Sequence, residues 1–173
     1  SAGMGLIALL SVMFAQMDKV ILSKMLSLEE FGHYMLASVV VGGLYLLVTP
    51  VFNIIYPGFS SLVASEDNDK LTQLYRVGTR LLASVLFPIG MLIALLAEDL
   101  VMLWLGNESI AESVGPIIAL LVIGSALHGV MYFPYALLLA HGRTRLVLLN
   151  SMILMVIFVP LIFYLALNYG ALG

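Results

Sequence analysis

The sequence predicts an all-α polytopic membrane protein, a bundle of five transmembrane helices, and three observations carry that prediction. Of 173 residues, 62% are hydrophobic and 10% charged, whereas an ordinary soluble domain carries about 25% charged residues. Mean hydropathy is +1.13. Apolar runs long enough to cross about 30 Å of hydrocarbon alternate with short polar turns. Cysteine is absent, which removes disulfides, thiolate metal sites and cysteine nucleophiles. Basic residues are too few and scattered for a nucleic-acid surface.

The spans fall at about 3–26, 28–64, 69–97, 110–140 and 144–168, in a single membrane domain. The chain opens on Ser1-Ala2-Gly3 without an initiator Met and closes on Tyr169-Gly170-Ala171-Leu172-Gly173 as though a further helix were starting. The expectation is therefore a piece of a longer protein. The first helix has neither the basic n-region nor the small-residue cleavage site of a secretory signal.

In that helix Gln16, Asp18 and Lys19 interrupt a segment whose strongly apolar residues contribute roughly 3 to 5 kcal/mol of insertion energy. An acid and a base at mid-bilayer each cost up to about 3 kcal/mol, so the segment is marginal alone and needs protein or water around the pair. Gln16, Lys19, Ser23 and Ser27 line one face, Ser11 and Asp18 roughly the opposite one. The competing placement puts the pair near a membrane surface, with Lys19 reaching to water.

Ser27-Leu28-Glu29-Glu30 matches the capping-box pattern, so a second helix starts here. Run to residue 64, it would measure roughly 55 Å and must bend or project into water. Pro50 and Pro57 each remove an amide donor, Gly42-Gly43 permits close helix approach, and Asn53 is placed either to fill the gap in the backbone ladder or to face a cavity. After the solvated loop Ser65-Glu66-Asp67-Asn68-Asp69-Lys70, Arg76 and Arg80 form an i,i+4 pair at headgroup level. Pro88 bends the third span, and Glu98-Asp99 ends it as a solvated helix terminus. Leu100 to Leu105 is too short to cross again and carries Trp104, an interfacial anchor.

Gly106-Asn107-Glu108-Ser109 turns the chain into the fourth span, which places His128 near mid-membrane. Ser125, His128, Tyr132 and Tyr135 share a face, which reads either as a protonatable path or as a neutral histidine bonded to a neighbouring carbonyl. His141-Gly142-Arg143-Thr144-Arg145 leads into the fifth span, with Asn150 early in it. Loops 65–80 and 141–145 hold five of the seven basic residues. The positive-inside rule makes these loops cytoplasmic and loops 24–31 and 98–112 extracytoplasmic.

No zinc motif, phosphate loop, GxGxxG or Ser/His/acid grouping is present, so no enzyme is expected. Broken helices and intramembrane polar residues are how transporters line a pathway. The motif order resembles the O-antigen and exopolysaccharide flippases, the polysaccharide transporter family of the multidrug/oligosaccharidyl-lipid/polysaccharide exporter superfamily. The residues that carry it are Gln16-x-Asp18-Lys19 with Leu22-Ser23, Glu30-Phe31-Gly32-x-Tyr34, Pro50 with Pro57 and Ser60-Ser61, Leu74-Tyr75-Arg76, Leu103-Trp104-Leu105-Gly106, Ala140-His141-Gly142-Arg143-Thr144, Asn150, and Tyr169-Gly170-x-x-Gly173.

The resemblance implies a two-lobe exporter of which this chain is most of the second lobe, sited in the bacterial cytoplasmic (inner) membrane. It implies alternating-access flipping of an oligosaccharide on polyprenyl pyrophosphate for surface polysaccharide assembly, among membrane lipids and beside the polysaccharide polymerase machinery. Substrate-pathway candidates are Gln16, Asp18, Lys19, Asn53, Arg76, Arg80, His128 and Asn150. Of these Asp18 and His128 are the candidates for coupling to a proton or cation, and no resident cofactor or metal is expected. Cationic walls at Lys19, Arg76 and Arg80 would attract pyrophosphate. The alternatives are a multidrug cation antiporter of the same superfamily, which Lys19 and the scarcity of mid-membrane acids disfavour, and a non-transporting membrane scaffold. An integral-membrane glycosyltransferase or polymerase is disfavoured because no large catalytic loop separates the spans.

Overall fold

The fold is taken from a computed structural model, which describes Val12, Gln16, Met17 and residues 19–169. Val12, Gln16, Met17 and residues 19–25 are helical. The helices that follow are α1 (Leu28–Gly42), α2 (Tyr45–Ala64), α3 (Asn68–Leu95), α4 (Ala97–Leu105), α5 (Glu108–Val130), α6 (Tyr132–Ala140) and α7 (Thr144–Tyr169). No strand occurs among the described residues. The protein is an all-α, polytopic helical membrane protein.

Helix starts follow local side-chain chemistry. Before α1, the Ser27 backbone amide donates to the Glu30 carboxylate at 3.0 Å while the Glu30 amide donates to Ser27 Oγ at 3.2 Å. The capping box read from the sequence is thus formed reciprocally, satisfying two amides that a helix start leaves without partners. Asp67 caps α3 by accepting from the Lys70 amide at 3.1 Å, and Asn107 caps α5 by accepting from the Ile110 amide at 3.2 Å. Gly106 closes α4 in the left-handed region with φ 64°, a conformation costly for residues with a Cβ.

The stretch 28–64, expected as one helix bent at its prolines, is instead two helices broken upstream of them. α2 runs through both Pro50 and Pro57. The break lies at Gly43 and Leu44, whose amides bond to Val40 and Val41 at 3.1 and 3.0 Å, three residues back rather than four. Two adjacent glycines resist helix least where a turn tightens, whereas each proline only leaves one carbonyl unpaired on a face that water or a neighbour can reach. The spans expected at 69–97 and 110–140 are divided as well. The chain pauses at Leu96 between α3 and α4, and at Met131 between α5 and α6. At the second break the Met131 amide bonds to His128 O at 3.0 Å, and Pro134 has no amide to continue the ladder to Val130.

Among the described residues four helical stretches are long and apolar enough to cross a membrane: Tyr45–Ala64, Asn68–Leu95, Glu108–Ala140 and Thr144–Asn168. At 1.5 Å per residue α2 alone is about 30 Å long, the thickness of the hydrocarbon layer. Of the five expected spans, that at 3–26 falls largely outside the described residues.

The chain packs as two compact units. One is formed by the described residues up to Met35 and from Arg143 onward, the other by Leu36–Gly142. Within the second unit Val48 and Phe59 of α2, Leu86 of α3, Val101 of α4, Val114, Ile118 and Val122 of α5 and Phe133 of α6 are fully buried. Apolar burial does not by itself drive helices together in lipid, so close packing has to. Small residues permit it. A methyl on Gly90 would sit 3.4 Å from the Ala126 Cβ, one on Gly129 2.8 Å from Leu86 Cδ1, and one on Gly115 would overlap Glu98.

These contacts fix direction within the unit. Gly58 and Phe59 meet Leu74 and Tyr75 across the α2–α3 turn. Higher on α3, Gly78 meets Phe133, Leu86 meets Gly129 and Gly90 meets Ala126, so α3 runs antiparallel to α5 and α6. α2 and the α5–α6 pair therefore run the same way, and both end on the side of the α2–α3 turn.

Candidate functional site

Polar and aromatic side chains of the candidate spans Tyr45–Ala64 and Glu108–Ala140 meet where α2 faces α5 and α6. The face expected from Ser125, His128, Tyr132 and Tyr135 is real. His128 packs edge-on against Tyr132 with ring centroids 5.5 Å apart, and Tyr132 against Tyr135 at 6.4 Å. Their partners on α2 are Tyr45, Phe52 and Tyr56, which sequence reading did not single out. Tyr45 stands edge-on to both His128 and Tyr132, at 6.1 and 6.4 Å. Phe52 meets Tyr132 edge-on at 5.5 Å and stacks on Tyr56 at 5.8 Å. From Tyr45 to Tyr56 the strip covers about 16 Å of α2.

His128 is not bonded to a neighbouring carbonyl. Its Nδ1 lies 3.0 Å from the Tyr45 hydroxyl, and Ser125 is a second polar neighbour of that hydroxyl. Either ring nitrogen can carry the proton, so the bond forms with tyrosine as donor or as acceptor. Behind the strip Val48, Phe52, Leu82 and Phe133 close tightly enough to leave no room for a ligand. Anything the site binds must therefore lie on the strip's outer face.

Of the other expected pathway residues, Asp18 lies outside the described residues. Gln16 is exposed and Lys19 partly exposed, both in the first helical stretch. Asn53 is exposed and makes no hydrogen bond, so it does not fill the backbone gap left by Pro57. Arg76 and Arg80 are exposed on α3, and Asn150 is exposed on α7. Asn53, Arg76 and Arg80, which share a unit with the aromatic strip, make none of its ring contacts or hydrogen bonds. The signal for its α2 half was available in the spacing of Tyr45, Phe52 and Tyr56 at i, i+7 and i+11, one face of a helix, but the expectation of a bend at Pro50 obscured it. Among the described residues no group of three or more His, Cys, Asp or Glu residues could hold a metal ion.

A family model described as polysaccharide biosynthesis protein matches residues 1–114. The chain belongs to that family. In this polysaccharide biosynthesis protein the matched region takes in Tyr45, Phe52 and Tyr56 and stops at Val114, before the α5–α6 half of the strip. Comparison with curated protein sequences found no match, and comparison with solved structures found none.

Proposed function

We propose that this protein translocates polyprenyl-pyrophosphate-linked oligosaccharide units across the bacterial cytoplasmic membrane by alternating access, with no bond made or broken. Membership of a polysaccharide biosynthesis family gives the chemical setting. The observation that carries the reading is the polar, aromatic strip at membrane depth. A hydroxyl or imidazole facing lipid tails loses its hydrogen bonds at a cost of several kcal/mol, whereas the same groups are at home along a passage through which a hydrated head group moves. Helices broken at Gly43 and Met131, both beside the strip, suit a wall that rearranges. Lys19, Arg76 and Arg80 are the candidate cations for the pyrophosphate, and Asp18 and His128 are the candidates for coupling to protons.

The test uses the full-length protein in its own cell. Deletion should abolish surface polysaccharide and leave lipid-linked units in the inner leaflet. The wild-type protein should restore export, and Lys19→Ala should not, while still reaching the membrane. Export that continues after deletion would overturn the reading, and wild-type polysaccharide with Lys19→Ala would remove Lys19 from the mechanism.

A further inference from the structure

Phe52 and Tyr56, one helical turn apart, hold their rings within 3° of parallel. Tyr132 and Tyr135 extend this surface from α5–α6, with centroids 5.5 and 6.0 Å from Phe52. Tyr135 is tilted from Phe52 by 34° and Tyr132 stands edge-on to it at 80°, so four rings from two helices make a contiguous aromatic platform that is flat only over Phe52 and Tyr56. The hydroxyls of Tyr56, Tyr132 and Tyr135 have no hydrogen-bond partner among the described residues, yet none is sealed from the outside. No Asp, Glu, Lys or Arg occurs in 45–56 or 125–135.

These features select an occupant. Unpartnered phenols at membrane depth exclude hydrocarbon, because lipid tails offer nothing to bond. With no Lys or Arg in either segment, nothing there holds a permanent positive charge to offset pyrophosphate or an acidic sugar, whose charge would be desolvated without a counter-ion. An aromatic face is electron-rich and attracts C–H groups polarised by adjacent oxygen. A pyranose ring presents such a C–H face with hydroxyls around its rim, and three of the four rings carry an unpartnered phenol that can bond to such hydroxyls.

We infer that the Phe52–Tyr56–Tyr132–Tyr135 platform binds uncharged pyranose rings, plain or N-acetylated, of the oligosaccharide head group. The inference rests on the transport reading and assigns the sugar and the pyrophosphate to different parts of the protein. A helix from elsewhere in the full-length protein covering the platform is the competing occupant.

The experiment is saturation-transfer NMR on the full-length protein in lipid nanodiscs. The protein's aromatic protons are irradiated and the signal is read on maltotriose and chitotriose. Transfer should appear on the ring C–H protons of both sugars and persist when inorganic pyrophosphate is added. Phe52→Leu should weaken it by about tenfold, the effect of one aromatic contact. Tyr56→Leu, which removes a platform ring and its phenol but no hydrogen bond within the protein, should weaken it too without a change in thermal stability, and Tyr132→Phe, which keeps the ring, should weaken it less. No transfer in the wild type, or unchanged transfer in both leucine variants, would overturn the inference. If deletion blocks export while the sugars receive no signal, the platform fails and the transport reading stands. If the sugars receive signal while deletion leaves export intact, the transport reading fails.

Discussion

The Tyr45 hydroxyl stands 3.0 Å from His128 Nδ1, joining the first residue of α2 to α5 three residues before the Met131 break. Both helix interruptions beside the strip are thereby tied to one hydrogen bond. Tyr45→Phe removes it while keeping the ring, and should destabilise the folded protein by about 0.5–1.5 kcal/mol. A double-mutant cycle with His128→Phe isolates the pair. Thermal unfolding of the four proteins in detergent should give a coupling energy of about 1 kcal/mol; additive losses would mean that the contact contributes nothing of its own.

Close packing makes a contrast between two glycines. A methyl at Gly78 would overlap the Phe133 ring and lie within 3.5 Å of Ile55 Cδ1, inside the buried junction of α2, α3 and α6. Gly78→Ala should therefore cost about 1–3 kcal/mol through overpacking. Gly124 has nothing within 4 Å, so Gly124→Ala should be neutral or stabilising by up to about 1 kcal/mol, from helix propensity alone. Chemical denaturation of both variants separates the cases, and equal losses would show that the space beside Gly124 is occupied in the intact molecule.

Caps, turns and apolar spans were legible in the sequence because they depend on neighbours within a few residues. Ser27–Glu30 forms the capping box read there, and the turn expected at Gly106–Ser109 is present, with Gly106 closing α4 and Asn107 capping α5. The shared face of Ser125, His128, Tyr132 and Tyr135 was legible for the same reason, being a matter of helical period. Where α2 begins was not. The prolines at 50 and 57 are the stronger helix breakers by propensity, but once packing places Val48 and Phe59 in the core the helix passes through them, and the break falls at Gly43 and Leu44. The partnership of Tyr45 with His128 was also illegible, since 83 residues separate them and only the direction of α2 along α5 brings them together.

Asp67 supplies a pH-dependent helix start. Hydrogen bonds from the Lys70 ammonium, at 2.7 Å, and the Lys70 amide hold its carboxyl below the usual aspartate range. A depressed folded-state pKa means that the cap's contribution is present in full above the unfolded value of about 3.9 and is lost as pH falls through the lower folded value. Amides 68–71 should therefore exchange hydrogen faster below about pH 4 than the intrinsic rate predicts. Asp67→Ala should show the faster opening at neutral pH and no further acid response. Identical protection in both proteins across the range would exclude the cap as the cause.

Orientation in the membrane follows from charge placed at one end of a unit whose helix directions are now fixed. The α2–α3 turn and the end of α6 lie on the same side of the Leu36–Gly142 unit. Exposed Lys70, Arg76 and Arg80 follow the first, and exposed Arg143 and Arg145 follow the second in sequence. Exposed Glu98, Asp99, Glu108 and Glu112 cluster around the α4 connections that lead away from the other end of α3. Lysine and arginine near span ends are retained on the cytoplasmic side, so the α2–α3 turn should face the cytoplasm. Asn68 is exposed in that turn, and none of the residues here is cysteine. In an otherwise cysteine-free full-length protein, Asn68→Cys should react with a membrane-impermeant maleimide only in inside-out vesicles, and Asn107→Cys only in intact spheroplasts. The reverse pattern would invert the topology and place the Arg76–Arg80 pair at the exit of the passage instead of its mouth.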